Sequence, residues 1–339
     1  MKSLHPFIAS LAIALIILPV GSVAQNQRPV EPAPATLPGA ETEVYKTVGD
    51  VSLPLHIFYP EGHKSGQSLP AIIFFFGGGW RNGSPAQFEK HCTYLASRGM
   101  VAITAEYRVW GRHKTKAIAC FQDAKSAMRY VRSNAKRLGI DPNRIAAGGG
   151  SAGGHLAGAL GTIGGLDDPA EDLSVSAAPN ALCLFNPALI LASIPSVRVM
   201  EVMPENRIIV TSEGRDRASA SPDAFPLPDG LEERFGVSPT AFSPYHNIGS
   251  DQPPAIIFHG DADTTIHHKS VELFTEKYKS LGNRCELVTY QGQGHGFFNF
   301  GRGDNAMFIA TLTEMDAFLR SLRYLKGEPT IKRFYESIN

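Results

Sequence analysis

Apolar residues fall along the chain in two kinds of short run, separated by stretches of helical period. Glu43–Val48 and Ser52–Tyr59 alternate apolar and polar positions around Gly49-Asp50, the pattern of a hairpin of half-buried antiparallel strands. Ala71–Phe76 is continuously apolar, as expected of a strand covered on both faces. Val101–Ala105, Arg144–Gly149, Ala181–Phe185, Ala255–Phe258 and Cys285–Tyr290 read as further strands. Between them lie helical patterns. Pro85–Ser97 carries Phe88, Cys92 and Leu95 and closes at Gly99; Lys116–Leu138 carries Ile118, Phe121, Met128 and Val131 and closes at Gly139. Ile266–Leu281 and Asn305–Leu322 follow the same period. Strand and helix in alternation after an antiparallel start predict an α/β fold, with about eight mostly parallel strands and helices on both faces. Pro187–Ser250 breaks the rhythm and reads as a cap- or lid-like insertion, residues 187–250.

The two ends of the chain lie outside this pattern. Lys2, the apolar run Phe7–Val20 and the small residues Ser22-Val23-Ala24 predict a signal peptide over 1–24, cleaved after Ala24. A secreted or periplasmic protein with no membrane span in its mature chain is the expectation. Residues 25–40 are rich in proline and predict a mobile linker; the alternating pattern predicts one α/β domain over 41–325 and a C-terminal tail over 326–339. Export permits disulfides, and the one candidate among the four cysteines is Cys92–Cys120, on the two helices that flank Val101–Ala105. The cysteine spacing carries no zinc pattern.

Charge narrows the function. Lysine plus arginine equals aspartate plus glutamate, 32 each, and no basic block stands out. Nucleic-acid binding loses its electrostatic footprint, and a neutral small substrate or neutral polymer suits the chain better.

Candidate chemistry gathers past the strand ends, where open α/β sheets bind ligands. Arg144–Gly149 runs into Gly149-Gly-Ser-Ala-Gly153, a G-x-S-x-G nucleophile elbow with Ser151 at its apex. The same stretch also spells G-x-G-x-x-G through Gly148, Gly150 and Gly153, with Asp167 and Asp168 downstream, so a dinucleotide loop competes locally. The other strand ends decide between them. Ala71–Phe76 leads into Gly77-Gly-Gly79, Ala255–Phe258 into His259-Gly-Asp-Ala-Asp263, and Cys285–Tyr290 into Gln291-Gly-Gln-Gly-His295. An anion-binding turn, a hydroxyl, a carboxylate and an imidazole therefore reach one sheet edge. A serine needs a base to take its proton and a carboxylate to orient that base.

In the order Ser, Asp, His the chain resembles the α/β-hydrolase esterases and lipases of the hormone-sensitive-lipase-like and acetyl-xylan or feruloyl-esterase-like groups. The matching blocks are Phe75–Trp80, Glu106-Tyr-Arg108, Asp141–Ile145, Gly149–His155, His259–Asp263 and Gly294-His-Gly296, spread over residues 43–322. The resemblance implies an α/β-hydrolase fold and a serine esterase needing no metal or organic cofactor, acting on a small-molecule or glycan-linked ester. It puts the nucleophile on Ser151, the acid on Asp263 and the base on His295. Oxyanion donors fall on the backbone of Gly78, Gly79 and Ala152. One position departs: the family's histidine before the three glycines is Phe76 here, which bears on the shape of the oxyanion loop.

Rival readings stand beside these. Asp261-Ala-Asp-Thr-Thr265 matches the D-x-D-x-T of haloacid-dehalogenase-type phosphatases, but His259-Gly260 intervene after the strand. Asp261 competes with Asp263 as the acid, and His259 with His295 as the base. His155 reads as a packed core residue, and His267 and His268 as the solvent side of a helix start. A prolyl-oligopeptidase-type peptidase and a non-catalytic module on this fold are the alternative functions; the sequence specifies no oligomeric state.

Overall fold

The computed structural model describes residues 32–194, 199–203, 207–210 and 230–338. The expected signal peptide, the first part of the expected linker and much of the 187–250 insertion lie outside the described residues. Ten strands are described: β1 (Glu41–Val48), β2 (Val51–Phe58), β3 (Leu69–Phe75), β4 (Val101–Ala105), β5 (Ile140–Gly150), β6 (Ala181–Phe185), β7 (Val199–Met203), β8 (Arg207–Val210), β9 (Ala255–Gly260) and β10 (Cys285–Tyr290). Helices are α1 (Glu89–Ser97), α2 (Trp110–His113), α3 (Ala117–Ser133), α4 (Ala152–Thr162), α5 (Leu231–Phe235), α6 (Pro239–Phe242), α7 (His268–Ser280), α8 (Ala306–Ser321) and α9 (Ile331–Ser337).

Eight strands form one sheet in the order β1-β2-β4-β3-β5-β6-β9-β10. The β1–β2 and β2–β4 pairings are antiparallel and the other five parallel, the layout expected of an α/β-hydrolase. Because β3 is buried on both faces, its alternate side chains serve two cores. Ile73 and Phe75 pack with α3, α4 and α7; Ile72 and Phe74 pack with α1, α8 and α9.

This topology removes the expected Cys92–Cys120 bridge. From β3 the chain steps one way along the sheet to β4, then reverses across β3 to β5. Right-handed crossovers in opposite directions put their helices on opposite faces. Cys92 accordingly belongs to one core and Cys120 to the other, with the sheet between them. A bridge needs Cα atoms within about 7 Å, and helices pack about 10 Å from each sheet face. All four cysteines are free and buried.

Three boundaries also differ from expectation. The helix begun at Lys116 ends at Ser133. The described end of the linker is tied down, since Leu37 is buried in the same core as Phe58. The expected tail carries α9, whose Ile331 is buried and whose Phe334 ring meets Tyr94 edge-on at 5.4 Å.

Candidate active site

Ser151 joins β5 to α4 with φ 54° and ψ −117°, a strained backbone for a residue with a Cβ. Its N–H donates to the Phe185 carbonyl (2.9 Å), and its own carbonyl accepts from His155 N–H (2.8 Å). The neighbouring glycines are there for space. A Cβ on Gly153 would lie 2.5 Å from the Phe75 carbonyl carbon, and one on Gly149 would lie 2.6 Å from the Phe75 oxygen. Gly148 and Gly150 face aromatic rings instead: a Cβ there would meet Phe74 and Phe298, each at 2.6 Å. The G-x-G-x-x-G match is thus strand packing, not a phosphate loop.

Past β10, His295 Nδ1 lies 2.7 Å from Asp263 Oδ2, and its Nε2 lies 3.0 Å from Ser151 Oγ. An ionised carboxylate only accepts, so Nδ1 carries the proton and Nε2 presents its lone pair to the hydroxyl. Asp263 follows β9 and is buried; its other oxygen accepts the N–H groups of Thr265 (2.8 Å) and Ile266 (3.0 Å). Burial alone would raise this carboxyl. The hydrogen bond and charge of His295, with the Ile266 N–H, outweigh burial and hold it below the usual carboxylate value.

The rivals make their shorter bonds to other groups, although His259 Nε2 also lies 3.4 Å from Asp263 Oδ2. Exposed Asp261 accepts from Gly292 N–H at 2.6 Å. His259 is buried, donates from Nε2 to the Ile266 carbonyl (2.8 Å), and is pushed down to about 4 by burial, so it is neutral near pH 7. Buried His155 donates from Nε2 to the Phe242 carbonyl (2.8 Å), and burial likewise takes it to about 4. His267 caps α7, and His268 opens it with Nε2 2.8 Å from Thr289 Oγ1.

The glycine turn after β3 takes conformations that favour glycine, with φ 120° at Gly78 and 63° at Gly79. Ala152 is the first residue of α4, so its N–H has no acceptor within the helix. Gly78, Gly79, Ala152, Ser151 and His295 all line one cleft of about 510 Å³. Phe76 holds the start of the turn by packing. Its ring stacks on Tyr107 at 4.0 Å, and Tyr107 Oη donates to the Phe76 carbonyl (2.6 Å). Gly83 returns against the same ring, and Arg112 donates to the Gly83 carbonyl (2.8 Å) while pairing with Glu106.

Supporting side chains that sequence reasoning missed tie the two loops together. Gln87 accepts the Gly77 N–H (2.6 Å) and donates to Asn299 (2.9 Å), which donates to the Gly296 carbonyl (2.8 Å). Asn186 accepts the Gly296 N–H (3.0 Å), and Arg302 donates to the His295 carbonyl (2.6 Å). Asn186 stands just past β6, where inspection of every strand end finds it. Gln87 and Asn299 have no local signature.

Residues 55–278 match the BD-FAE family model, two thirds of the chain. The chain belongs to the BD-FAE family. Residues 235–325 also match the dienelactone hydrolase family, and the BD-FAE chain has the α/β-hydrolase fold of esterases. It resembles the butyrate-bound esterase 2 of Thermogutta terrifontis, with 47% identity and a TM-score of 0.75 over 86% of this chain and 97% of that one. Esterase LipC of Mycobacterium tuberculosis is 28% identical over 243 residues, 67% of this chain; the chain spans about half of LipC, 53%. Carboxylesterase NlhH of the same organism is 26% identical over 300 residues, 87% of each chain.

Proposed function

We propose that this BD-FAE chain is a secreted serine carboxylic-ester hydrolase acting by acyl transfer. Ser151 Oγ attacks the ester carbonyl while His295 Nε2 takes its proton, forming a tetrahedral intermediate. The amides of Gly78, Gly79 and Ala152 receive the oxyanion, at about 3 kcal/mol per donor. Collapse expels the alcohol, which takes the proton from His295 and leaves an acyl-Ser151. Water, deprotonated by the same imidazole, then releases the acid. Asp263 holds the ring in the required tautomer and stabilises its charge.

The observation that carries this reading is the hydrogen-bonded series Asp263–His295–Ser151 at a strained elbow. The Thermogutta esterase 2, bound to propionate and butyrate, supports short acyl groups here. The N-terminal apolar run supports export and, with it, an ester on a small molecule or a glycan, such as an acetyl group on a polysaccharide. Hydrolysis of 4-nitrophenyl acetate, butyrate and decanoate by the mature protein, beside Ser151→Ala, tests it. Turnover of the short esters that vanishes in the variant is expected; turnover that survives it contradicts the assignment.

A further inference from the structure

We propose that Arg81 and Arg234 form an anion subsite beside the Ser151 nucleophile, so that the favoured substrates are esters carrying a second, ionised carboxylate. This rests on the esterase reading and goes beyond it to substrate class. It also departs from what overall composition suggested. The chain balances 32 cations against 32 acids, but its cleft does not. Among the described residues, those lining the cleft include Arg81, Arg234 and Arg302, and neither an aspartate nor a glutamate.

Several other arginines withdrawn from water meet carboxylates: Arg98 meets Asp316 at 2.7 Å, Arg108 meets Asp123 at 2.8 Å, and Arg129 pairs with Asp167. Arg132 has only neutral partners but several of them, the carbonyls of Pro142, Ser176 and Ala178. Among the described residues, no acid forms an ion pair with any of the three cleft arginines. Arg302 is committed to the His295 carbonyl. Arg81 and Arg234 make weaker commitments. Arg81 lies over the Trp110 ring at 4.5 Å. Arg234 lies over Trp80 at 5.6 Å and donates one bond, from Nη2 to the Gly79 carbonyl (3.1 Å).

Both cations line the same cleft. Burial first, and the Arg81 charge second, hold the Arg234 guanidinium below the ordinary arginine value. A largely buried cation with a like charge beside it and one neutral acceptor is costly, and a carboxylate between the pair would remove that cost. Arg234 bonds to Gly79 and lines the same cleft as Ser151, so this anion would sit on the flank of the oxyanion loop. Its carboxylate could belong to the acyl part or to the alcohol.

Two matched pairs of substrates separate these sources. 4-Nitrophenyl hydrogen adipate against 4-nitrophenyl hexanoate places the charge on the acyl part; 4-acetoxybenzoate against its methyl ester places it on the leaving group. The readout is the ratio of kcat/KM for charged over neutral ester. In the wild type we expect about tenfold preference for the charged member of one pair, the scale of a charge-assisted hydrogen bond. That ratio should fall toward one in Arg81→Gln and in Arg234→Gln, stay largely intact in Arg234→Lys, and shrink between about 0.05 and about 0.5 M salt. A ratio at or below one in both pairs, or one that both glutamine variants leave unchanged, overturns the subsite. With Ser151-dependent turnover of the neutral esters intact, the esterase reading survives that result. If no ester is hydrolysed in a Ser151-dependent way, both readings fall.

Discussion

Replacing Gly153 by alanine tests whether the elbow is built as described. The added Cβ would lie 2.5 Å from the Phe75 carbonyl carbon, with the Phe75 and Phe76 oxygens closer still. Carbon atoms pack at about 3.5 Å, so α4 and the end of β3 must part by about 1 Å. Every atom in the way is backbone, and no side chain can turn to make room. Overpacking of this kind costs about 1–3 kcal/mol, or a Tm lower by about 1–5 °C in a chain of this size. Catalysis should suffer more, because β3 leads into the glycine turn while α4 starts next to Ser151. Displacing the nucleophile from its oxyanion donors by about 1 Å costs about 100-fold in kcat. Gly158→Ala meets the flexible end of Leu189 (Cδ2 at 2.6 Å) and should lower Tm with little change in kcat. Gly164→Ala meets nothing within 4 Å and should stay within about 0.5 kcal/mol of wild type. Calorimetry and steady-state turnover of 4-nitrophenyl butyrate read both effects. Wild-type Tm and kcat in Gly153→Ala would refute the packing argument.

Other expectations rest on the same geometry. Asp263→Asn should lower kcat by about 10⁴-fold by permitting the wrong His295 tautomer, whereas Asp261→Asn should leave it near wild type; the reverse order would make Asp261 the acid. Burial holds His91 at about 3 and His155 and His259 at about 4, all below the unfolded value near 6.5. The stability this preserves above pH 6.5 is lost as pH falls toward 4, because the unfolded chain then binds the extra protons. Glu106, which burial raises to about 7 against the pull of Arg112, acts in the opposite sense between about 4.5 and 7. Three groups against one predict a Tm that falls from pH 6.5 to 4, with a shallower fall in His91→Phe; a flat profile contradicts this. The four buried thiols should resist 5,5′-dithiobis(2-nitrobenzoate) until denaturation, and reductant should leave Tm unchanged. A Tm lowered by reductant would reveal a bridge.

Much of the fold was legible because burial on both faces leaves a strong local mark. Ala181–Phe185 and Cys285–Tyr290 are strands at the expected bounds, since an apolar run between turn residues has few other uses in an alternating chain. The strand-end rule brought Ser151, Asp263 and His295 forward from three separate segments. What was illegible depends on contacts distant in sequence. The seven residues of α9 are too few for a period to register, and the segment docks through contacts distant in sequence, the burial of Ile331 and the Phe334–Tyr94 pair. Cys92 and Cys120 looked like neighbours because strand order, which puts the sheet between them, is not written in either helix. Gln87 reaches Asn299 across 212 residues, so no local pattern announces it. Overall composition does not resolve the cleft, because 32 against 32 averages over the whole chain while a substrate meets only the cleft.

The central claim is that Ser151 is the nucleophile activated by His295. The Thermogutta esterase 2 is known phosphorylated by paraoxon, and the same reagent offers a direct measurement here. The purified protein is incubated with paraoxon and its mass measured intact and after digestion. The account predicts one diethylphosphoryl group, on the peptide containing Ser151, absent from Ser151→Ala and formed far more slowly in His295→Ala. An adduct on another residue that persists in Ser151→Ala, or none at all on folded wild-type protein, would contradict it.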